Sequence, residues 1–141
     1  MEERTELKCE IVTPEGLVMD ENVAMVIVPG EMGELGILPR HAPIVSRTVV
    51  GDVRVKRHDG DDWQFLAVGN GYVKVQFDRL LMLADTAELA EDIDVARAEE
   101  AVHRADEWLA KYRGGDGGVD VRRAEQSRKR AMNRLKVGGR V

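Results

Sequence analysis

Residues 63–77 read Trp-Gln-Phe-Leu-Ala-Val-Gly-Asn-Gly-Tyr-Val-Lys-Val-Gln-Phe, two apolar runs on either side of Gly69-Asn70-Gly71. Valine and aromatic residues favour strands, and Asn-Gly is typical of a tight hairpin turn. The stretch therefore predicts a β-hairpin. Comparable short runs separated by turn residues continue from residue 6 to 84 and predict an antiparallel sandwich or barrel.

Other strands are predicted at residues 7–12, 22–28, 49–58 and 79–84, with a turn at Asp59-Gly60. Between them, residues 29–43 hold three of the four prolines and three glycines, together with the apolar residues Met32, Leu35, Ile37 and Leu38. We interpret this segment as a stiff apolar loop. Such a loop either contacts a partner or tucks under the sandwich, with His41 as a structural histidine.

The spacing of apolar residues changes after residue 92. Apolar residues at three- and four-residue steps predict helices at about 92–113 and 119–137, separated by the glycine-rich Gly114–Gly118 segment. Their stripes are predicted at Ala98, Ala101, Ala105, Trp108 and Tyr112, and at Val121, Ala124, Ala131 and Leu135. Helices with so short a connection pack antiparallel, and alanine-rich stripes bury little area. The domains are thus predicted as 1–88, a sandwich, and 89–141, a helical hairpin that opens at modest free-energy cost.

Charge is distributed unevenly between these parts. Residues 1–91 carry 9 basic and 17 acidic side chains, whereas residues 119–141 carry 8 basic and 2 acidic ones. The second helix therefore differs electrostatically from the sandwich.

Catalysis by the chain alone is not predicted. Its two serines lie outside any nucleophile elbow, its histidines lack metal-ligand spacing, and its glycines match neither phosphate-binding fingerprint. Cys9 is the only cysteine, which excludes an intrachain disulfide and favours a reducing compartment. The charged start and the lack of a long apolar run argue against a signal peptide or direct membrane insertion.

The two helices begin with one motif, Asp94-x-x-Arg97-Ala98 and Asp120-x-x-Arg123-Ala124. Each aspartate is predicted to be an N-cap. An arginine in the first turn opposes the helix dipole, so it either forms a solvated basic face or binds an anion such as phosphate. The spacing leaves both alternatives open.

At these motifs the chain resembles the epsilon subunits of F-type ATP synthases of the bacterial type. The resemblance rests on Gly33-Glu34-Leu35-Gly36-Ile37-Leu38-Pro39 with His41-Ala42-Pro43, on Leu83-Ala84-Asp85-Thr86-Ala87, and on Ile93-Asp94-Val95-Ala96-Arg97-Ala98. It runs from about residue 7 to 137. It implies a ten-stranded antiparallel β-sandwich followed by an antiparallel two-helix hairpin.

The resemblance also implies a non-catalytic place in the rotor's central stalk, on the cytoplasmic face of a bacterial plasma membrane. The sandwich would bind the gamma subunit and the ring of c subunits and help couple proton flow to ATP synthesis. The implied contacts are Glu31, Met32, Glu34, Leu35, Ile37, Leu38 and His41. The extended hairpin would restrain ATP hydrolysis by meeting the catalytic alpha and beta subunits through Arg122, Arg123, Arg128, Arg130 and Arg134.

No cofactor is required by this resemblance, but it implies ATP as a regulatory ligand of the folded hairpin. Matching residues are Ile93, Asp94, Arg97, Arg130 and Arg134, with Glu88 and Arg104 matching less closely. Two departures from the family, the glycine-rich Gly114–Gly118 segment and Arg128 within an apolar stripe, are expected to weaken the folded hairpin.

A different class, a nucleic-acid binder with a basic tail, is the alternative suggested by Arg122 to Lys136. The acidic sandwich and the scarcity of aromatic residues count against it, and no nucleic-acid partner is predicted.

Overall fold

The computed structural model describes residues 6–57, 62–115, 117–118 and 120–139. The chain divides into two compact units, residues 1–89 and 90–141. The first is a ten-stranded β-structure and the second is helical.

The strands of the first unit are short and follow one another closely. They are β1 Leu7–Thr13, β2 Gly16–Val23, β3 Met25–Gly30, β4 Gly33–Ile37, β5 Ile44–Thr48, β6 Gly51–Lys56, β7 Trp63–Val68, β8 Gly71–Gln76, β9 Arg79–Ala84 and β10 Ala87–Leu89. They pair in the order β10-β7-β6-β3-β5-β8-β9-β1-β2, with β4 beside β3. The predicted sandwich of ten strands is confirmed. It is not purely antiparallel, because β1 pairs with β9 in parallel.

The predicted hairpin between β7 and β8 is wrong. β7 pairs with β6 and β10, whereas β8 pairs with β5 and β9. Residues 66–89 form one long two-stranded ribbon that reverses at Phe77-Asp78 and bends at Gly69-Asn70. Across the bend, Gly69 N–H donates to the Thr86 carbonyl at 2.9 Å and Asp85 N–H donates to the Asn70 carbonyl at 3.0 Å.

The glycines at this bend provide close approach between the two strands of the ribbon. A Cβ at Gly71 would collide with the carbonyl oxygen of Leu83, and one at Gly69 would collide with the carboxylate of Asp85. Phe77 and Asp78 instead carry the positive φ angles, 52° and 57°, that a two-residue type I′ turn requires. Gly69-Asn70-Gly71, which predicted a turn, is therefore a bend at which the two strands of the ribbon pass from one part of the sandwich to another.

Alternate residues along the strands form one core. It includes Leu7, Ile11, Val26, Val28, Ile37, Val53, Val55, Leu66, Val73, Val75, Leu80 and Met82, all essentially inaccessible to solvent. The predicted alternation of Val53 and Val55 with Arg54 and Lys56 is confirmed, since only the valines are buried.

Three details differ from the predicted strands. The strand expected at 22–28 is split between β2 and β3, and the one at 49–58 spans only Gly51–Lys56. The segment 29–43 contains the end of β3 and all of β4 rather than a continuous loop. The turn predicted at Asp59-Gly60 lies outside the described residues.

In the second unit, a 3-10 turn at Ala90–Asp92 precedes α1, Val95–Arg113, and α2, Val121–Gly138. The helices are antiparallel, because Asp106 contacts Arg128 and the end of α2 meets the start of α1 at Gly138 and Ile93. The described residues that are buried in the helices are Ala98, Ala105, Ala124, Ala131 and Val137. Trp108 and Tyr112 are about half exposed, so the prediction that they complete the buried stripe is wrong.

Candidate functional site

The segment predicted to contact partners is a β-hairpin, β3 and β4, with exposed residues at its turn. Glu31 and Met32 lie at the tip, and the Met32 side chain is 98% exposed. Glu34 accepts a hydrogen bond from Arg54 at 2.6 Å. Ile37 is fully buried in the core, so it supports β4 and offers no surface to a partner.

The residues after β4 are fixed against the β8–β9 turn. Arg40 has a φ of 69°, and its backbone N–H donates to the Asp78 carboxylate at 2.5 Å. The backbone N–H of His41 donates to the Leu38 carbonyl at 3.2 Å, and its ring Nδ1 lies 2.6 Å from the Ala42 carbonyl oxygen. These contacts leave the Leu38 side chain about half exposed at the surface.

The candidate nucleotide residues begin at the start of α1. Asp94 is the N-cap, and its carboxylate accepts from the Arg97 backbone N–H at 3.0 Å, which confirms the predicted cap. Ile93 is buried beside the end of α2, where a Cβ at Gly138 would lie 3.1 Å from Ile93 Cγ2. A side chain at Gly138 would therefore require Ile93 to give way by a few tenths of an ångström.

The second helix brings Arg134 towards the same end of the hairpin. Arg134 precedes Gly138 by four residues, which is about 6 Å along a helix. Arg130 is one turn further away, and its Nη2 donates to Ser127 Oγ at 3.3 Å. Arg104 lies in the middle of α1 and lines a groove between the helices together with Ser127, whereas Glu88 lies on β10 in the first unit.

The arginines of α2 are in different environments. Arg122, Arg123 and Arg130 are exposed, whereas the Arg128 Nε atom donates to the Asp106 carboxylate at 2.7 Å. The side chain of Arg128 thus reaches across to α1, and the expectation that Arg128 weakens the folded hairpin stays a prediction. The sequence held no local signal for this pair, whose members are 22 residues apart.

Cys9 is buried in the sandwich core rather than in either candidate surface. Burial, reinforced by the nearby Glu21, Glu10 and Asp20 carboxylates, raises the pKa of its thiol from 9.0 to about 12. The thiol is protonated at neutral pH and is unsuited to nucleophilic chemistry.

Together these features define a class of protein, a ten-stranded β-sandwich followed by a basic two-helix hairpin. None of the helices in the described part of the chain has the length and hydropathy to span a membrane.

Comparison with known proteins gives the family. A model of the beta-sandwich domain of ATP synthase delta/epsilon chains matches residues 6–90, and a model of the long alpha-helix domain of those chains matches residues 91–139. The chain belongs to this family of ATP synthase subunits.

Relatives resemble the chain along nearly its whole length. An ATP synthase epsilon chain of Halalkalibacterium halodurans is 46% identical over 95% of this chain and 98% of its own. An ATP synthase epsilon chain of Desulforamulus reducens is 44% identical over 92% of this chain and 95% of its own. A chain in a solved structure of the Euglena gracilis mitochondrial ATP synthase shares the fold, with a TM-score of 0.77 and 18% identity over 94% of this chain and 81% of that one.

Proposed function

We propose that the chain is a non-catalytic subunit of the central stalk of an F-type ATP synthase and takes part in coupling proton flow to ATP synthesis. The observation that carries this proposal is the match of both family domains, in order, over residues 6–139. The chain would be peripheral, on the cytoplasmic face of a bacterial plasma membrane.

The sandwich would bind the gamma subunit and the c-ring through the β3–β4 hairpin and the residues that follow it. Met32 and Leu38 supply exposed apolar side chains, and Glu31 and Glu34 supply charge beside them. An apolar side chain that is 98% exposed has no role in the isolated fold, whereas it gains free energy when a partner covers it.

A charged substitution at Met32 tests this surface. We expect Met32→Glu to reduce co-purification with gamma and the c-ring several-fold, because a buried carboxylate without a partner is strongly disfavoured. Met132→Glu is the matched control, since Met132 is exposed on α2, outside this surface. Equal assembly of the two variants would contradict the proposed surface.

The hairpin would restrain ATP hydrolysis. When it extends, the exposed Arg122, Arg123 and Arg130 are available to acidic surfaces of the catalytic alpha and beta subunits, and separation of the helices also frees Arg128 from Asp106. Removal of residues 90–141 should spare assembly and raise ATP hydrolysis by the complex. Unchanged hydrolysis in the truncated complex, at both low and high ATP:ADP ratios, would reject the regulatory role.

ATP would stabilise the folded hairpin through Ile93, Asp94, Arg97, Arg130 and Arg134, with lesser contributions from Glu88 and Arg104. The proposal is supported by the ends of α1 and α2 meeting at Ile93 and Gly138, which puts Arg97 and Arg134 at one end of the hairpin. Guanidinium groups bind phosphate by charge-assisted hydrogen bonds.

Calorimetry on the isolated chain tests nucleotide binding at this end. Arg130→Ala should weaken ATP binding about tenfold or more, whereas Lys129→Ala, an exposed cation on the same helix, should change it less than twofold. Binding that is the same in both variants would contradict a role for Arg130.

A further inference from the structure

The turn between β8 and β9 holds a large apolar side chain in an unfavourable backbone conformation. Phe77 has a φ of 52° and is 78% exposed, and Asp78 follows it with a φ of 57°. Glycine and asparagine adopt positive φ angles at a lower free-energy cost than phenylalanine. Packing does not offset that cost at Phe77, because most of its surface lies in solvent. A residue that is unfavourable in both respects in the free chain indicates a role in contact with another molecule.

Asp78 joins this turn to two other segments of the sandwich. Its carboxylate accepts from the backbone N–H of Arg40 at 2.5 Å, although the two residues are 38 apart in the sequence. Its carbonyl accepts from the backbone N–H of Lys8, at the start of β1, at 2.9 Å. Arg40 also has a positive φ, 69°, which the hydrogen bond to Asp78 helps to maintain. The turn and the segment after β4 are therefore held together.

The hydrogen bond between Arg40 and Asp78 places Phe77 beside one end of the surface proposed for partner binding. Leu38, two residues before Arg40, is 53% exposed, and Phe77 immediately precedes Asp78. Met32 marks the other end of that surface, because the five residues of β4 separate it from Leu38 by about 16 Å of extended strand. Two partners can therefore divide the surface between them, and Phe77 belongs to the Leu38 end.

The surroundings of Phe77 indicate the chemistry of its partner. Arg40 and Arg79 are exposed next to the turn, so an apolar surface with carboxylates at its rim is the complement. Exposed apolar area continues into β5, where Val45 is 70% exposed and pairs with Lys74, three residues before Phe77. A contact that extends from a turn onto a strand fits one large partner. This favours the gamma subunit over the c-ring, whose identical subunits repeat one surface.

We propose that the β8–β9 turn is a further contact with the gamma subunit, in which Phe77 enters an apolar pocket of gamma and Asp78 positions residues 38–41 beside it. The inference rests on the proposed function, in which the sandwich binds gamma, and adds two residues to that contact. Phe77 is a contact residue, whereas Asp78 is a positioning residue that acts through the backbone of Arg40.

Binding of the full-length chain to a complex of the alpha, beta and gamma subunits without the c-ring tests the contact. Phe77→Asn should raise the dissociation constant about tenfold, because gamma no longer buries the aromatic side chain. The melting temperature of the free variant should not fall, since asparagine suits a positive φ. Met132→Asn replaces an exposed apolar residue of α2 and is the matched control, with a change of less than about twofold expected.

Asp78→Gly tests the positioning role. Glycine adopts a φ of 57° without strain, so this variant removes the carboxylate and retains the turn. The dissociation constant should rise about fivefold, and Asp78→Asn, which keeps an acceptor oxygen, should restore most of the affinity. In a Leu38→Asn background the effect of Asp78→Gly should largely disappear, because the contact that Asp78 positions is already lost. A general loss of stability would not depend on Leu38 in this way.

The outcomes that overturn the inference are distinct from failure of the proposed function. If the parent chain binds and Phe77→Asn binds equally well, the turn is not a contact, and the proposed function stands. An effect of Phe77→Asn on c-ring association alone would also reject the assignment to gamma. Additive effects of Asp78→Gly and Leu38→Asn would reject the positioning role. Failure of the parent chain itself to bind would reject the proposed function and the inference with it.

Discussion

Arg128 and Asp106 join the two helices of the hairpin through an ion pair of 2.7 Å, at the place where an aliphatic residue would otherwise continue an apolar stripe. Both side chains are partly exposed, 42% and 51%, so solvent screens their attraction. The pair therefore fixes the alignment of the helices more than it adds to their stability.

A double-mutant cycle of Arg128→Ala and Asp106→Ala should give a coupling free energy of about 0.5 kcal/mol. Urea unfolding followed by circular dichroism at 222 nm measures it, and 1 M salt should abolish most of it. The cycle between Arg122→Ala and Asp106→Ala is the control, with no coupling expected. Additive effects of Arg128→Ala and Asp106→Ala at low salt would show that the ion pair contributes nothing.

The architecture could be predicted from local patterns, whereas the pairing of strands could not. Alternating valines predicted β6, and Asp94 and Asp120 predicted both helix starts, because each signal acts within a few residues. Gly69-Asn70-Gly71 gave a wrong prediction of a hairpin, because glycines are found both in tight turns and where two strands approach closely. β4 escaped prediction because its Gly33, Gly36 and flanking prolines are typical of loops.

The candidate sites also include residues that local sequence predicts and residues that only the fold brings together. The motif residues Asp94 and Arg97 are visible in the sequence because they lie within one helical turn. The groove lined by Arg104 and Ser127 is formed by two facing helices, so the spacing within either helix alone could not locate it.

Gly71→Ala should destabilise the sandwich by about 2 kcal/mol or more, because the new Cβ meets the Leu83 carbonyl, which is part of the paired backbone. Equilibrium unfolding in urea measures the loss. Gly117→Ala is the matched control, since a Cβ placed there has no atom of another described residue, apart from its chain neighbours, within 4 Å. Similar unfolding midpoints for the two variants would contradict the bent-ribbon geometry.

Phe77→Asn should stabilise the sandwich by about 1 kcal/mol. Phe77 is 78% exposed and has a φ of 52°, so little packing is lost and a backbone conformation that asparagine tolerates better is retained. Asp78 should be left unchanged because its carboxylate accepts from Arg40.

Thermal unfolding of Phe77→Asn and of Leu17→Asn separates the effect of the turn conformation from the effect of replacing an exposed apolar side chain with asparagine. Leu17 is 60% exposed in β2 and has no positive φ, so its replacement should give no gain. A lower melting temperature for Phe77→Asn than for the parent chain would refute the argument.

Cys9 should make the sandwich less stable at high pH. Its thiol ionises near pH 9 in the unfolded chain but only near pH 12 in the folded one, so between these values only the unfolded state loses the proton. The free energy of unfolding therefore falls as the pH rises above 9, by at most about 1.4 kcal/mol per pH unit from this group.

Urea unfolding of the parent chain and of Cys9→Ala at pH 8, 9 and 10 measures this contribution. The difference in stability between them should be constant below pH 9 and should shrink at higher pH. Parallel pH profiles up to pH 10 would show that the thiol is not shielded.

The parallel pairing of β1 with β9, the only such pair among the described strands, affects the order in which the sandwich folds. The ribbon of residues 66–89 can assemble around its own turn, because its partners are close in sequence. β1, by contrast, pairs Lys8 with Arg79 and must wait until most of the chain is available. Loop-closure entropy therefore places the docking of β1 late in folding, and on the ribosome the N-terminal strands remain unpaired with β9 until that strand has emerged.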